Sequence, residues 1–199
     1  YRAVPWLART HAVTYLPSVA SLSILRGLSA GDPARKAFTG FGDPWFSPEQ
    51  EKKTQRAARL AAAGTTTRGM PLERRGVTET DAQKEQLDSA GIDTLPPLPD
   101  TAEEVQGIAK ALNANPEQDV FLGRKASEEQ VKSLDLSRVK VLAFATHGLL
   151  PGELDGLSQP ALALSAPAVT GGKEDGLLTL GEILGLRLNA DWVVLSACN

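Results

Sequence analysis

The chain is poor in the residues that build metal and redox centres. It has 199 residues, a single cysteine (Cys198) and two histidines (His11 and His147). One thiol excludes an internal disulfide and any zinc site made from several thiolates, and it fits a reducing cytoplasm. No apolar run approaches the roughly 18 residues of a membrane span. The opening stretch YRAVPWLART lacks the long apolar segment of a secretory leader. Basic residues are scattered, as in QRAARL and ERRG, and the net charge is −3. A nucleic-acid footprint needs a clustered basic face, so neither a nucleic-acid nor a membrane partner is expected. No internal repeat or long low-complexity tract appears. The chain opens on Tyr1 rather than Met, which reads as a fragment or a processed chain.

What is present suits one domain with a real core: 42% of residues are hydrophobic. HAVTYLP (11–17) reads as a short strand and SVASLSILRG as a helix stopped by Gly27. KAFTGFGDP reads as a strand with a glycine-rich end. Ser47-Pro48-Glu49-Gln50 is a helix start, with Ser as cap, Pro at the first helical position and Gln where a capping box wants it. That helix extends to Ala63. Residues 50–98 form a variable helical and loop insertion, in which 64–98 mix loops with a modest helix in TDAQKEQLDSAG.

Order returns at TAEEVQGIAKAL, where Thr101-x-x-Glu104 predicts a capping box and Val105, Ile108, Ala109 and Leu112 fall at helical spacing. QDVFLGR predicts a strand, SEEQVKSL a helix capped by Ser127, and VKVLAFAT (139–146) a strand. TLGEILG predicts a helix with a Thr179…Glu182 capping box and a Leu178/Ile183 staple, and DWVVLSA a final strand. Strands alternating with helices from residue 101 onward predict an α/β fold with a parallel sheet. The runs 141–145 and 192–195 are apolar at every position, as in central strands covered on both faces.

Sites in open α/β sheets form beyond the carboxyl ends of the strands. His147 and Cys198 each follow such an end, 51 positions apart. If the two strands are neighbours, imidazole and thiol meet at one rim, an arrangement that suits acyl transfer: thiolate attacks a carbonyl and imidazole handles the proton. Gly148 lets a substrate carbonyl approach the backbone, and its N–H, with that of Cys198, supplies candidate oxyanion donors. Taken singly, each residue has a plainer explanation. A free cysteine is commonly buried in a core, a histidine after a strand is commonly structural, and a glycine there commonly makes a turn. No metal or cofactor is called for.

FATHG, followed by DGLLTLGEILGLRLNADWVVLSACN, resembles the caspase-like CHAT domain, of the cysteine peptidase clan that includes caspases, separases and clostripain. HAVTYLPSVASLSILR, GFGDP and FLGRKASEEQVKSL carry the same resemblance, which covers nearly the whole chain outside residues 50–95. It implies a caspase-like three-layer α/β/α sandwich with a mostly parallel central sheet, formed as a single domain by residues 1–199. It implies a His147/Cys198 dyad and endopeptidase activity. It also implies a protein or peptide substrate, and a TPR array or other regulatory domain in the parent protein, in prokaryotic signalling or defence. Family members continue past the catalytic cysteine, whereas this chain stops at Asn199. The domain is therefore expected to be incomplete at its C-terminal end, the parent active and the fragment impaired. The alternative is a catalytically silent caspase-like scaffold that relays a signal by binding a protein partner.

Asp43 ends the first glycine-rich strand, and a carboxylate there would suit Lys or Arg at the cleaved position. Asp-Pro after a strand is also ordinary turn chemistry. Glu153 and Asp155 are weaker pocket candidates and read equally as solvated. Gly40-x-Gly42 lacks a third glycine, because position 45 is Trp45, so a dinucleotide loop is disfavoured. His11 reads as a surface or edge residue. The segment LLPGELDGLSQPALALSAPAVTGGKEDG is long, and reads as a lid, a partner-sensing element or a flexible excursion. LSQPALALS within it could pair as a hairpin strand.

Overall fold

The computed structural model describes residues 32–62 and 91–197; the described residues from 34 onward belong to one compact unit. The strand at 11–17, the helix after it, His11, the helix in 80–91 and Cys198 lie outside the described residues. β1 (Lys36–Gly42), β2 (Val120–Leu122), β3 (Val139–Ala145) and β7 (Trp192–Ser196) form a sheet in the order β2-β1-β3-β7, all parallel. Around it lie α1 (Pro48–Ala62), α2 (Asp100–Ala111), α3 (Pro116–Asp119), α4 (Glu128–Ser133), α5 (Pro167–Thr170) and α6 (Leu180–Gly185).

The period of two along β1 and β3 sorts their side chains onto two buried faces. Phe41, Leu142 and Phe144 point to one face, where they meet Val131 of α4, Leu136 and, at the margin, Ile183 of α6. Phe41 stacks on Phe121 at 5.1 Å and on Phe144 at 5.2 Å, so three rings ladder across β2, β1 and β3. Each such pair contributes about 0.5–1.5 kcal/mol beyond its buried area. Phe38, Ala143 and Ala145 point to the other face, against Val105 and Ala109 of α2. Alanines in β3 and glycines in β1 let α2 lie close: a Cβ on Gly40 would stand 2.4 Å from Val105 Cγ1. Helices therefore cover both faces of the sheet, giving the expected three layers.

Two expectations are corrected. The run 192–195 does not form a covered central strand: β7 pairs only with β3 among the described residues, and Trp192, Val193 and Leu195 are exposed. Nor does Thr101 cap α2. The helix begins at Asp100 behind Pro99, which leaves Thr101 inside the first turn. There its hydroxyl donates to the Leu98 carbonyl (2.7 Å) and accepts the Asp43 N–H (2.7 Å). A tertiary donor has taken the oxygen that a cap would use.

The other helix starts follow their sequences. Ser127 Oγ accepts from Gln130 N–H, and Thr179 and Glu182 form a full capping box. Ser47 Oγ accepts from Gln50 N–H at 3.3 Å, but the Gln50 side chain reaches one residue further back than a capping box, to Phe46 N–H. The long segment after His147 is folded. β4 (Gly148–Leu149), β5 (Ala161–Ala163) and β6 (Leu177–Thr179) make an antiparallel sheet in the order β4-β5-β6. Leu149, Leu154, Leu157, Ala161 and Ala163 close a second core with Phe46 and Leu95. The hairpin strand expected in LSQPALALS is thus β5.

Candidate active site

β3 and β7 are adjacent and parallel, with Ala145 opposite Ser196 in register. Their carboxyl ends share one rim of the sheet, from which His147 and Ala197 emerge; the thiol belongs to the next residue, Cys198. On the other side of β3, Gly42 pairs with Ala145, so Asp43 leaves β1 at the same rim. Asp43, His147 and Ala197 therefore follow three consecutive strands, in that order across the sheet.

His147 is fixed from several directions. The residue before it, Thr146, is buried, and its hydroxyl donates to the Ala163 carbonyl. The His147 carbonyl accepts from Ala163 N–H at 2.9 Å. Its ring lies 5.5 Å from that of the fully buried Phe46, tilted by 44°. Nε2 sits 2.9 Å from the Pro96 carbonyl oxygen. A carbonyl only accepts, so Nε2 carries the hydrogen and the neutral ring keeps its lone pair on Nδ1.

The antiparallel register assigns the direction of the Gly148 amide. Residues 147 and 163 are joined by a main-chain hydrogen bond, and Gly148 is opposite Leu162. Hydrogen-bonded and non-bonded pairs alternate, so the N–H and C=O of Gly148 point away from β5. A Cβ on Gly148 would touch Ala197 Cβ at 3.4 Å, which brings the His-Gly turn beside the end of β7. An apolar cleft of about 390 Å³ opens there, lined by Gly148, Leu149, Leu162, Leu180, Leu195 and Ala197 among others.

Asp43 adopts a left-handed backbone at φ 45°, uncommon for a residue with a side chain. Thr101 Oγ1 accepts its N–H, and Gly123 N–H donates to its carbonyl at 3.1 Å. Burial pushes its carboxyl up to about 6, partly offset by the Trp45 indole. No cationic side chain pairs with it among the described residues. Glu153 is turned inward to its own loop, accepting Leu150 N–H at 2.7 Å, and Asp155 is exposed. Neither is among the residues lining the cleft beside Gly148.

Among the described residues, one group of acids has ligand-like spacing: Glu128, Glu174 and Glu182, whose oxygens lie within 4.8 Å of one another. Lys132 Nζ already fills the gap, at 2.6, 2.7 and 2.8 Å from the three. The group is an ammonium clamp joining α4, the loop before β6 and α6. No helix among the described residues is long and apolar enough to cross a membrane.

Sequence reasoning missed Pro96, Phe46 and Thr101 as parts of this rim. Pro96 acts through its backbone and Phe46 through packing, and neither leaves a chemical signature in a sequence. A family model described as the CHAT domain matches residues 2–199. No curated protein and no solved structure matches the chain.

Proposed function

Because the chain belongs to the CHAT domain family, within the caspase-like peptidase clan, we propose that it is a cysteine endopeptidase working through His147 and Cys198. The observation that carries this reading is the parallel pairing of β3 with β7, Ala145 opposite Ser196, which brings the segments leading to imidazole and thiol to one rim. The Cys198 thiolate attacks the substrate carbonyl, and His147 Nδ1 takes the thiol proton. The resulting imidazolium keeps its Nε2–H on the Pro96 carbonyl and hands the other proton to the leaving amine. The N–H groups of Gly148 and Cys198 receive the negative charge that develops on the carbonyl oxygen. Water then releases the acyl group from sulfur.

The substrate is a protein or peptide. The desolvated Asp43 carboxyl, which pairs with no cation among the described residues, would be compensated by a Lys or Arg side chain on the β1 side. The cleft on the β7 side suits an apolar side chain on the other flank. The protein acts in the cytoplasm in prokaryotic signalling or defence, under a TPR array or similar regulator in the parent protein.

The test combines a thiol-reactive peptide probe with a cleavage library, applied to the native protein, Cys198→Ala and His147→Ala. Labelling and cleavage that vanish in both variants support the enzyme. The exposed apolar residues Trp192, Val193 and Leu195 of β7 keep a second reading in view, a scaffold that docks a partner without cleavage. A scaffold leaves the library uncut and retains its partner in both variants, and that result overturns the peptidase reading.

A further inference from the structure

We propose that Gln50, in the first turn of α1, is a positioning residue that holds the two groups flanking the His147 ring. This rests on the reading of His147 as the acid/base. Two contacts define the ring's setting: the Pro96 carbonyl on Nε2 at 2.9 Å and the Phe46 ring at 5.5 Å. The Gln50 side chain grips the backbone at both places. Its Oε1 accepts the Phe46 N–H at 2.8 Å, and its Nε2 donates to the Leu95 carbonyl, also at 2.8 Å. Leu95 is the residue immediately before Pro96. One amide thus ties residue 46 to residue 95, and both neighbouring groups then converge on one imidazole.

The arrangement suits an amide. A side chain at this position must accept from one backbone segment and donate to another; a hydroxyl does both from a single oxygen, as Thr101 does, whereas the amide of Gln or Asn carries its acceptor and its donor on separate atoms at a fixed separation. Asn would fall one methylene short. Phe46 and Leu95 are themselves buried at 0% and 3% exposure, so the bridge lies over packed side chains. Small displacements of a reacting group are costly, reaching about a hundredfold for 1 Å.

Gln50→Glu and Gln50→Met separate the two arms. An ionised Glu still accepts from Phe46 N–H but repels the Leu95 carbonyl, whereas Met loses both contacts. The full chain has two imidazoles, His11 and His147, so ring-nitrogen NMR resolves His147 without using activity. In the native protein we expect a single Nε2–H tautomer with its proton protected from solvent exchange. In both variants that proton broadens or disappears, and alkylation of Cys198 slows by about tenfold or more. A purely structural role would lower the melting temperature and leave the tautomer signal in place. An unchanged Nε2–H resonance in both variants, or an Nδ1–H tautomer in the native protein, overturns the proposal. Failure of the peptidase reading instead shows as an uncut library with the tautomer signal intact.

Discussion

Lys132→Met removes the single ammonium from the three-carboxylate clamp. Glu174 and Glu182 are each about one-third exposed (36% and 34%), so neither carries the main cost. Glu128 does: it is 1% exposed, and without Lys132 its remaining described partner is the Gly176 N–H, 3.0 Å from Oε2. Breaking a buried ion pair by deleting one member costs about 3–5 kcal/mol. Lys132 itself is 29% exposed, which argues for the low end, about 3 kcal/mol. At about 2–4 °C per kcal/mol for a chain of this size, the melting temperature should fall by about 6–12 °C at neutral to alkaline pH.

The loss should depend on pH with a definite sign. In the native protein burial, together with the nearby Glu182 charge, raises Glu128 to about 7, against the hydrogen bond from Lys132. A carboxyl raised in the folded state stabilises the fold while protonated, and that contribution is lost as pH rises through the folded value. Without Lys132 the value climbs further, so the variant loses most above about pH 7 and much less near about pH 5.5. A smaller gap persists there because of Glu182. Burial alone would raise that carboxyl, but Lys132 and the Thr179 N–H and hydroxyl outweigh it and hold it at about 2. Urea unfolding of native protein, Lys132→Met, Glu128→Gln and the double variant at both pH values measures this. A loss under about 1 kcal/mol at alkaline pH, or an equal loss in the Glu128→Gln background, would refute the assignment of the cost to Glu128.

Three further outcomes are expected. Gly148→Ala should fold with stability within about 0.5 kcal/mol of native by urea unfolding, since its new Cβ meets Ala197 at an ordinary 3.4 Å. Its peptide turnover should fall at least about tenfold, because the methyl group stands at the amide assigned to the oxyanion. Asp43→Asn should raise stability at alkaline pH by about 1 kcal/mol after allowance for solvent screening, and by little near about pH 4. The reason is that the native carboxyl, raised to about 6 by burial, stabilises only while protonated; Asn also tolerates φ 45°. The same variant should lose preference for Lys or Arg in the cleavage library. Thr101→Val should cost about 1–3 kcal/mol by thermal unfolding, because it removes the acceptor for Asp43 N–H and the donor to Leu98.

The parallel sheet was legible because its signals are local. Val141 to Ala145 is apolar at every position, and a strand buried on two faces needs that. The Ser127 cap and the Thr179 capping box were legible for the same reason, since cap and partner sit three residues apart. Thr101 carries the same Thr-x-x-Glu pattern and fails, because its hydroxyl is claimed by an N–H that is 58 positions away in the chain. β7 shows the converse. Its composition is that of a covered strand, yet coverage is a property of neighbours, and among the described residues one side of it has none.

The candidate site divides along the same line. His147, Gly148 and Asp43 could be named from the sequence because strand ends in a parallel sheet share a rim, and the chemistry of those side chains is written in their identity. The Pro96 carbonyl could not, because every residue carries a carbonyl and only the fold aims one at an imidazole. Gln50 stands between these cases. Its place after Ser47-Pro48-Glu49 was read correctly as a helix start, and Ser47 does accept its N–H. The amide side chain was then free for a second task that a local pattern cannot register, joining Phe46 to Leu95. A helix cap that needs only the backbone of residue 50 leaves the choice of side chain open. The use made of it here requires one oxygen and one N–H group at the reach of Gln, which is why the tautomer of His147 should respond to a substitution in α1.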